Sequence, residues 1–201
     1  EYINENMKDT LVIYTSDHGE FMGSHVRSRR KEHPHEESIS IPAIFKMPDV
    51  IKKDEISPEL FSSIDIVPTI CGLLDIRIPE YCQGTDFSPL LSGSGFFKGP
   101  DKVLIEMVNN PRWNLDFFDW RGFVSDKYKY CFYEDGNELL FDLEKDPYEM
   151  DNLAYKNAIL REKMKKELLE LLLETREPFF DVIINHGHSM NEKDIDVSVK
   201  E

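Results

Sequence analysis

Cysteine, basic charge and long apolar runs are all scarce in this 201-residue chain. With 24 Lys and Arg against 39 Asp and Glu, the formal net charge is -15. A surface of that sign repels a phosphate backbone, which excludes general nucleic-acid binding outside a local basic patch. No apolar run approaches the ~20 residues that a bilayer crossing requires, so no membrane span is expected. The three cysteines, Cys71, Cys82 and Cys131, are odd in number and lack metal-type spacing. They read as isolated thiols rather than a disulfide framework or a zinc site. There is no Met at position 1 and no apolar signal segment behind it, so the chain reads as an excerpt of a longer protein whose compartment is not legible. Core-forming residues are not scarce: 40% of the chain is hydrophobic and 11% aromatic, enough to bury a core.

The apolar pattern changes character along the chain. Thr10-Leu11-Val12-Ile13-Tyr14-Thr15 is a continuous β-branched and apolar run, expected as a strand buried on both faces in a parallel sheet. A second short strand is expected within Ile39 to Lys46, around Pro42-Ala43-Ile44-Phe45. Ser57-Pro58-Glu59 has the order of a helix start, and Asp65-Ile66-Val67-Pro68-Thr69 offers another, with Asp65 as the cap and Pro68 in the first turn. Gly84 to Gly99 reads as a loop. Beyond it, Val103 to Met107, Trp120 to Val124, Tyr128 to Tyr133 and Glu138 to Asp142 are short strands separated by turn signals, an antiparallel meander. Lys156 to Glu174 carries Ile159, Leu160, Met164, Leu168, Leu171 and Leu172 at helical spacing among Lys and Glu. A helix after a meander fits an α+β subdomain with the helix on one sheet face.

Two features stand out chemically. Asp17-His18 sits where the first strand ends, with Gly19 releasing the backbone. A carboxylate beside an imidazole suits a pair of metal ligands, and equally a base with its orienter; the bland alternative is a surface pair. Arg27, Arg29, Arg30 and Lys31, with His33 and His35 nearby, form a cationic island in an acidic chain, suited to an anionic group or else to a solvated loop. His25 could line a cleft or fix a loop, and Trp113 and Trp120 are expected in the core. His186 and His188 have the spacing of a metal clip, and an incidental pair is the alternative.

The order of motifs resembles the sulfatase family of the alkaline phosphatase superfamily. The resemblance is carried by Thr15-Ser16-Asp17-His18-Gly19-Glu20, then Met22-Gly23-Ser24-His25, Lys31 and Glu36-Glu37-Ser38-Ile39-Ser40-Ile41-Pro42. Ser63 to Ile70, Trp120-Arg121-Gly122 with Lys127 to Tyr130, and Leu140 to Leu153 agree in the same order. The resemblance implies that Asp17 and His18 are two ligands of one divalent cation, usually calcium. It implies that Lys31 contacts the sulfate and the leaving oxygen, with Arg30 in reserve because a one-residue offset separates the two counts. His25 is a further candidate catalytic-site residue, and Arg30 and Arg121 are candidate substrate contacts. The family's nucleophile is a formylglycine hydrate made from Cys or Ser in a Cys/Ser-x-Pro-x-Arg motif. None of the three cysteines has that context, so the nucleophile and the remaining acidic ligands are expected in an N-terminal part absent from this chain.

The fold class expected is therefore α/β. Residues 1–100 would be the C-terminal part of an alkaline-phosphatase-like mixed sheet flanked by helices. Residues 101–180 would form a small α+β subdomain of antiparallel strands and one helix, and 181–201 a polar tail. The function expected is that of a C-terminal fragment of a metal-dependent sulfatase acting on a sulfated small molecule or glycan, inactive alone. A phosphodiesterase or phosphonate ester hydrolase of the same superfamily and a non-catalytic binding module are the alternatives. The missing N-terminal half, or self-association, is expected to cover the apolar sheet around Leu11 to Thr15.

Overall fold

A computed structural model describes Met7 and residues 9–26, 31–51, 56–109 and 117–186. Arg27, Arg29, Arg30, Trp113 and His188 lie outside the described residues. The chain divides into two units, Glu1–Gly19 with Ser40–Val103, and Glu20–Ile39 with Leu104–Glu201. Residues 20–39 thus group with the C-terminal sheet although they lie early in sequence.

In the first unit, β1 (Val12–Thr15) pairs with β2 (Ala43–Lys46). The pairing is antiparallel, with Tyr14 opposite Ile44 and Thr15 opposite Ala43, which corrects the parallel arrangement expected from the apolar run. A continuous apolar run reports burial and says nothing of strand direction. The burial expected is also incomplete: the cross-strand partners Tyr14 and Ile44 are 64% and 58% exposed. A chain of aromatic rings, Phe45, Phe61, Phe87 and Phe97, packs this unit at centroid spacings of 5.5, 5.0 and 4.7 Å.

No helix forms at Ser57. The Ser57 hydroxyl instead accepts from Glu59 N at 3.1 Å, a local side-chain turn that competes with helix. The helix start at Asp65 is present: a 3-10 turn over Ser63–Asp65 leads into α2 (Ile66–Leu73). Here α1 denotes Glu36–Ile39, in the second unit. A short helix, α3 (Ser88–Ser92), with Pro89 in its first turn, interrupts the loop expected over Gly84 to Gly99. Asp65 does more than cap. Its Oδ2 accepts from Ser62 N and its Oδ1 from Thr85 N, both at 2.7 Å. The carboxyl is buried, and burial pushes its pKa up against the pull of those two N–H donors. Asp65→Asn keeps the shape but faces an amide NH2 toward one of these donors, so a buried N–H loses its acceptor. Thermal or urea melts are expected to show a loss of about 1–3 kcal/mol.

The second unit is a sheet in the order β3 (Lys102–Met107), β4 (Trp120–Ser125), β5 (Tyr128–Tyr133) and β6 (Glu138–Asp142). The β4, β5 and β6 strands are antiparallel, as the turn signals imply. Period-2 alternation sorts their residues onto two faces. One face presents Phe123, Tyr130, Phe132 and Leu140 to α4 (Ala158–Glu174) and α5 (Phe179–His186), through Met164, Leu168, Leu169, Leu172, Phe179 and Ile183. Asn157 starts α4 by accepting from Leu160 N at 3.1 Å. Ile159, expected on the apolar stripe, is exposed instead. The α5 helix, absent from the sequence expectation, follows a tight reversal at Arg176 (φ 56°) and Pro178. Gly122 in β4 is required by close approach: a Cβ there would overlap Cys131 Sγ and the Tyr130 carbonyl. Cys131 is buried, which raises its thiol pKa, and all three cysteines are free.

The opposite sheet face carries Trp120, Lys129, Tyr133 and Phe141 and is covered by residues 31–36. Phe141 meets the His35 ring at 5.6 Å, and the Trp120 indole donates to the Glu32 carbonyl at 2.7 Å. The early segment is thus a third layer of the C-terminal unit.

Candidate active-site segments

The first candidate lies just past β1. Ser16 Oγ donates to the His18 carbonyl at 2.9 Å, and His18 N donates to Asp17 Oδ1 at 3.1 Å, turning the strand end so that the two side chains meet. His18 Nδ1 lies 2.7 Å from the Gly19 carbonyl, a contact that requires the proton on Nδ1. Its Nε2 lies 3.5 Å from Asp17 Oδ2. A hard carboxylate oxygen and a borderline imidazole nitrogen, side by side with the histidine tautomer set by a carbonyl, form a donor pair that fits a divalent cation. Among the described residues, no group of three or more His, Cys, Asp or Glu converges to complete such a set.

The second candidate is the 20–39 layer. Lys31 is exposed, and its carbonyl accepts from Ser38 Oγ at 2.5 Å, which ties the lysine to α1. His25 occupies a left-handed conformation (φ 51°) that a β-carbon disfavours. Its Nε2 lies 3.4 Å from Glu37 Oε1, and its ring meets that of His35 at 4.4 Å, tilted by 50°. Phe21 packs edge-on to both rings. Burial alone would raise the Glu37 carboxyl. The Ser24 hydroxyl, a backbone N–H and the two imidazoles outweigh it and hold the pKa below the ordinary 4.5.

Beneath this layer is a charge cluster that the sequence reading missed. Lys129 Nζ lies 2.6 Å from both Glu36 Oε1 and Glu149 Oε1. The second contact is a charge pair rather than an aligned hydrogen bond, since Glu149 Oε1 has no partner by hydrogen-bond geometry. Glu149 Oε2 accepts from Glu36 N at 2.7 Å, meeting a donor in the first turn of α1. The Lys129 and Glu149 side chains are each 1% exposed. The legible signal was the Lys127-Tyr128-Lys129-Tyr130 alternation: a lysine facing away from Tyr128 and Tyr130 in a central strand needs a buried anion if that face is covered.

The family model that matches residues 27–177 is N-sulphoglucosamine sulphohydrolase, C-terminal. The chain belongs to the sulfatase family. It is 31% identical over 182 residues to the Ulvan-active sulfatase of Formosa agariphila, covering 84% of this chain and 34% of that protein. It is 31% identical over 194 residues to the Endo-4-O-sulfatase of Bacteroides thetaiotaomicron, covering 86% and 37%. A solved 2-O GAG sulfatase superposes with a TM-score of 0.75 at 26% identity, covering 86% of this chain and 38% of that one. The chain spans about a third of the length of the curated relatives it matches.

Within this sulfatase segment, Asp17 and His18 are brought together, and Lys31 and His25 share one layer. Arg121 is a correction. Alternation places it on the helix-facing side of β4, opposite to the side of Trp120 that residues 31–36 cover. Its guanidinium bonds Glu177 at 2.7 Å and the Met107 and Trp120 carbonyls at 3.1 Å, lies 3.2 Å from Glu106, and stacks on Phe179 at 4.9 Å. A buried arginine so engaged holds β3, β4 and α5 together and is not presented to a substrate. His186 packs 5.9 Å from Phe132, and Trp120 is a core residue as expected.

Proposed function

We propose that this chain is the C-terminal part of a divalent-cation-dependent sulfatase that hydrolyses sulfate esters on a small molecule or glycan, and that it is inactive alone. The observation that carries the reading is the Asp17–His18 pair, with His18 Nδ1 at the Gly19 carbonyl and its Nε2 3.5 Å from Asp17 Oδ2. These two side chains would hold one cation, calcium by resemblance to the family, together with acidic ligands from an N-terminal part. The bound cation would supply Lewis-acid stabilisation of charge on the sulfate oxygens. Lys31 would meet the ester and leaving oxygens, where negative charge accumulates as the S–O bond breaks. His25 would act as a positioning residue, since its imidazole is committed to Glu37 and His35. The formylglycine nucleophile would come from the N-terminal part, whose packing would cover the exposed Tyr14–Ile44 pair.

The test is turnover by the polypeptide that carries this chain together with a nucleophile segment. An aryl sulfate should be hydrolysed in preference to the matching phosphate diester and phosphonate monoester. Activity should vanish on chelation and return with calcium. The 201-residue chain alone should show none. Preference for the phosphonate ester, or indifference to chelator, would sink the sulfatase reading.

A further inference from the structure

The β5–β6 end of the second unit holds a cleft of about 460 Å³ that the sulfate chemistry leaves unused. Glu32 and His33, which directly follow Lys31, line it together with Phe118, Asp135, Asn137 and Tyr155. Its size suits a small ligand.

Three observations specify what it would take. Glu32 Oε2 is buried with no hydrogen-bond partner among the described residues. Its backbone cannot withdraw, because the Glu32 carbonyl is held by Trp120 at 2.7 Å and the next side chain, His33, by the Tyr133 hydroxyl at 3.2 Å. An orphaned carboxylate oxygen pinned at a cleft wall calls for a donor from the cleft side. Next, Phe118 and Tyr155 present flat apolar faces, being 52% and 64% exposed. Tyr155 is fixed in place: its hydroxyl accepts from Glu138 N at 3.2 Å and bonds Asn137 Oδ1 at 3.3 Å. Finally, the described residues that line the cleft include no Lys or Arg. Glu138, also on the lining, is paired by Lys165 at 3.0 Å, so Glu32 and Asp135 set the sign of the cleft, and their carboxylates repel a sulfate or carboxylate group.

We infer that this cleft binds an uncharged pyranose ring, with ring hydroxyls donating to the Glu32 and Asp135 carboxylates and a C–H face resting on Phe118 or Tyr155. Carboxylates and aromatics also suit an organic ammonium ion. The volume and the polar rim of Asn137 favour a ring with several hydroxyls. The assignment deepens the proposed function, on which its saccharide context rests: the anionic ester would be held elsewhere, and this cleft would read a neutral neighbouring unit.

Saturation-transfer NMR on the polypeptide that carries this chain tests binding without requiring turnover. The probes are the methyl glycosides of glucose, galactose, xylose, rhamnose and N-acetylglucosamine, with glucose 6-sulfate and choline as comparators. At least one neutral glycoside is expected to bind, more tightly than either comparator. Glu32→Gln and the surface change Phe118→Ala should each weaken it about tenfold with unchanged melting temperature, the size of one charge-assisted hydrogen bond or one stacking contact. No neutral glycoside bound, tighter binding of choline or the sulfated sugar, or affinity unchanged in both variants would overturn the assignment. Absent glycoside binding with aryl sulfate turnover intact would remove the cleft alone. Intact binding without turnover would remove the enzymatic reading alone.

Discussion

Asp17→Ala, made in a polypeptide that carries this chain and a nucleophile segment, is expected to lower sulfate-ester hydrolysis about 10²- to 10³-fold, the scale of removing one group that stabilises transition-state charge. The loss should appear as a rise in the calcium concentration needed for half-maximal activity, followed by a lower kcat at saturating calcium. His18→Ala should behave alike. The prediction is sharp because stability should hardly move. The Asp17 side chain is 84% exposed and accepts from Ser16 and His18, its immediate neighbours. Removing an exposed side chain with such local contacts changes stability by about 0.5 kcal/mol or less. A variant that melts with the parent and loses calcium-dependent turnover separates ligation from folding. Full activity in both variants would exclude a ligand role for this pair.

Glu149→Ala is expected to have the opposite signature, a loss of about 3–5 kcal/mol in urea unfolding, because it strands a buried cation. Burial is the largest influence on Glu149 and pushes its pKa up, against the pull of Lys129 and the Glu36 N–H. Breaking the pair is severe: Lys129 would be left with Glu36, and Glu36 N would lose its acceptor. Lys129→Met should be comparably damaging, since it leaves two carboxylates together. The double variant Lys129→Met with Glu149→Met should recover part of the loss, and a double-mutant cycle measures how much. The pH dependence follows from the sign. A carboxyl whose folded pKa is raised contributes stability that is full below its ordinary value of 4.5 and is lost as pH rises through the folded value. The stability of the parent relative to Glu149→Gln should therefore decline across that window. Glu37 runs the other way: its folded pKa is lowered, so its contribution is present above 4.5 and is lost as pH falls through the folded value.

The C-terminal half of this fold is legible in the sequence because its contacts are local. Alternation in Tyr128 to Tyr133 and helical spacing in Met164, Leu168 and Leu172 each specify a face, and the short turns at Asp126-Lys127 and Asp135-Gly136-Asn137 leave the strands one way to pair. Motif order singled out Asp17-His18 and Lys31 as site candidates. What was not legible depends on distance in sequence. The antiparallel β1–β2 pairing and the docking of residues 31–36 on the far sheet face involve no periodic signal. Arg121 was misread for a related reason: a motif gives neighbours in sequence, while β alternation sends Trp120 and Arg121 to opposite faces. Ser57-Pro58-Glu59 failed because the Ser57 hydroxyl satisfies Glu59 N locally, without a helix.

The links from Glu36 to Lys129 and Glu149 join residues 93 and 113 positions apart. Closing loops of that length is entropically unfavourable and slow relative to forming a local meander. Synthesis runs from the N-terminus, so Glu36 emerges well before Lys129 and Glu149 can hold it. The four-stranded sheet is therefore expected to assemble first, with the segment that carries Lys31 settling onto it afterwards. On that expectation the order of folding runs against the order of synthesis, and the C-terminal unit is the template on which an early stretch of chain acquires its working shape.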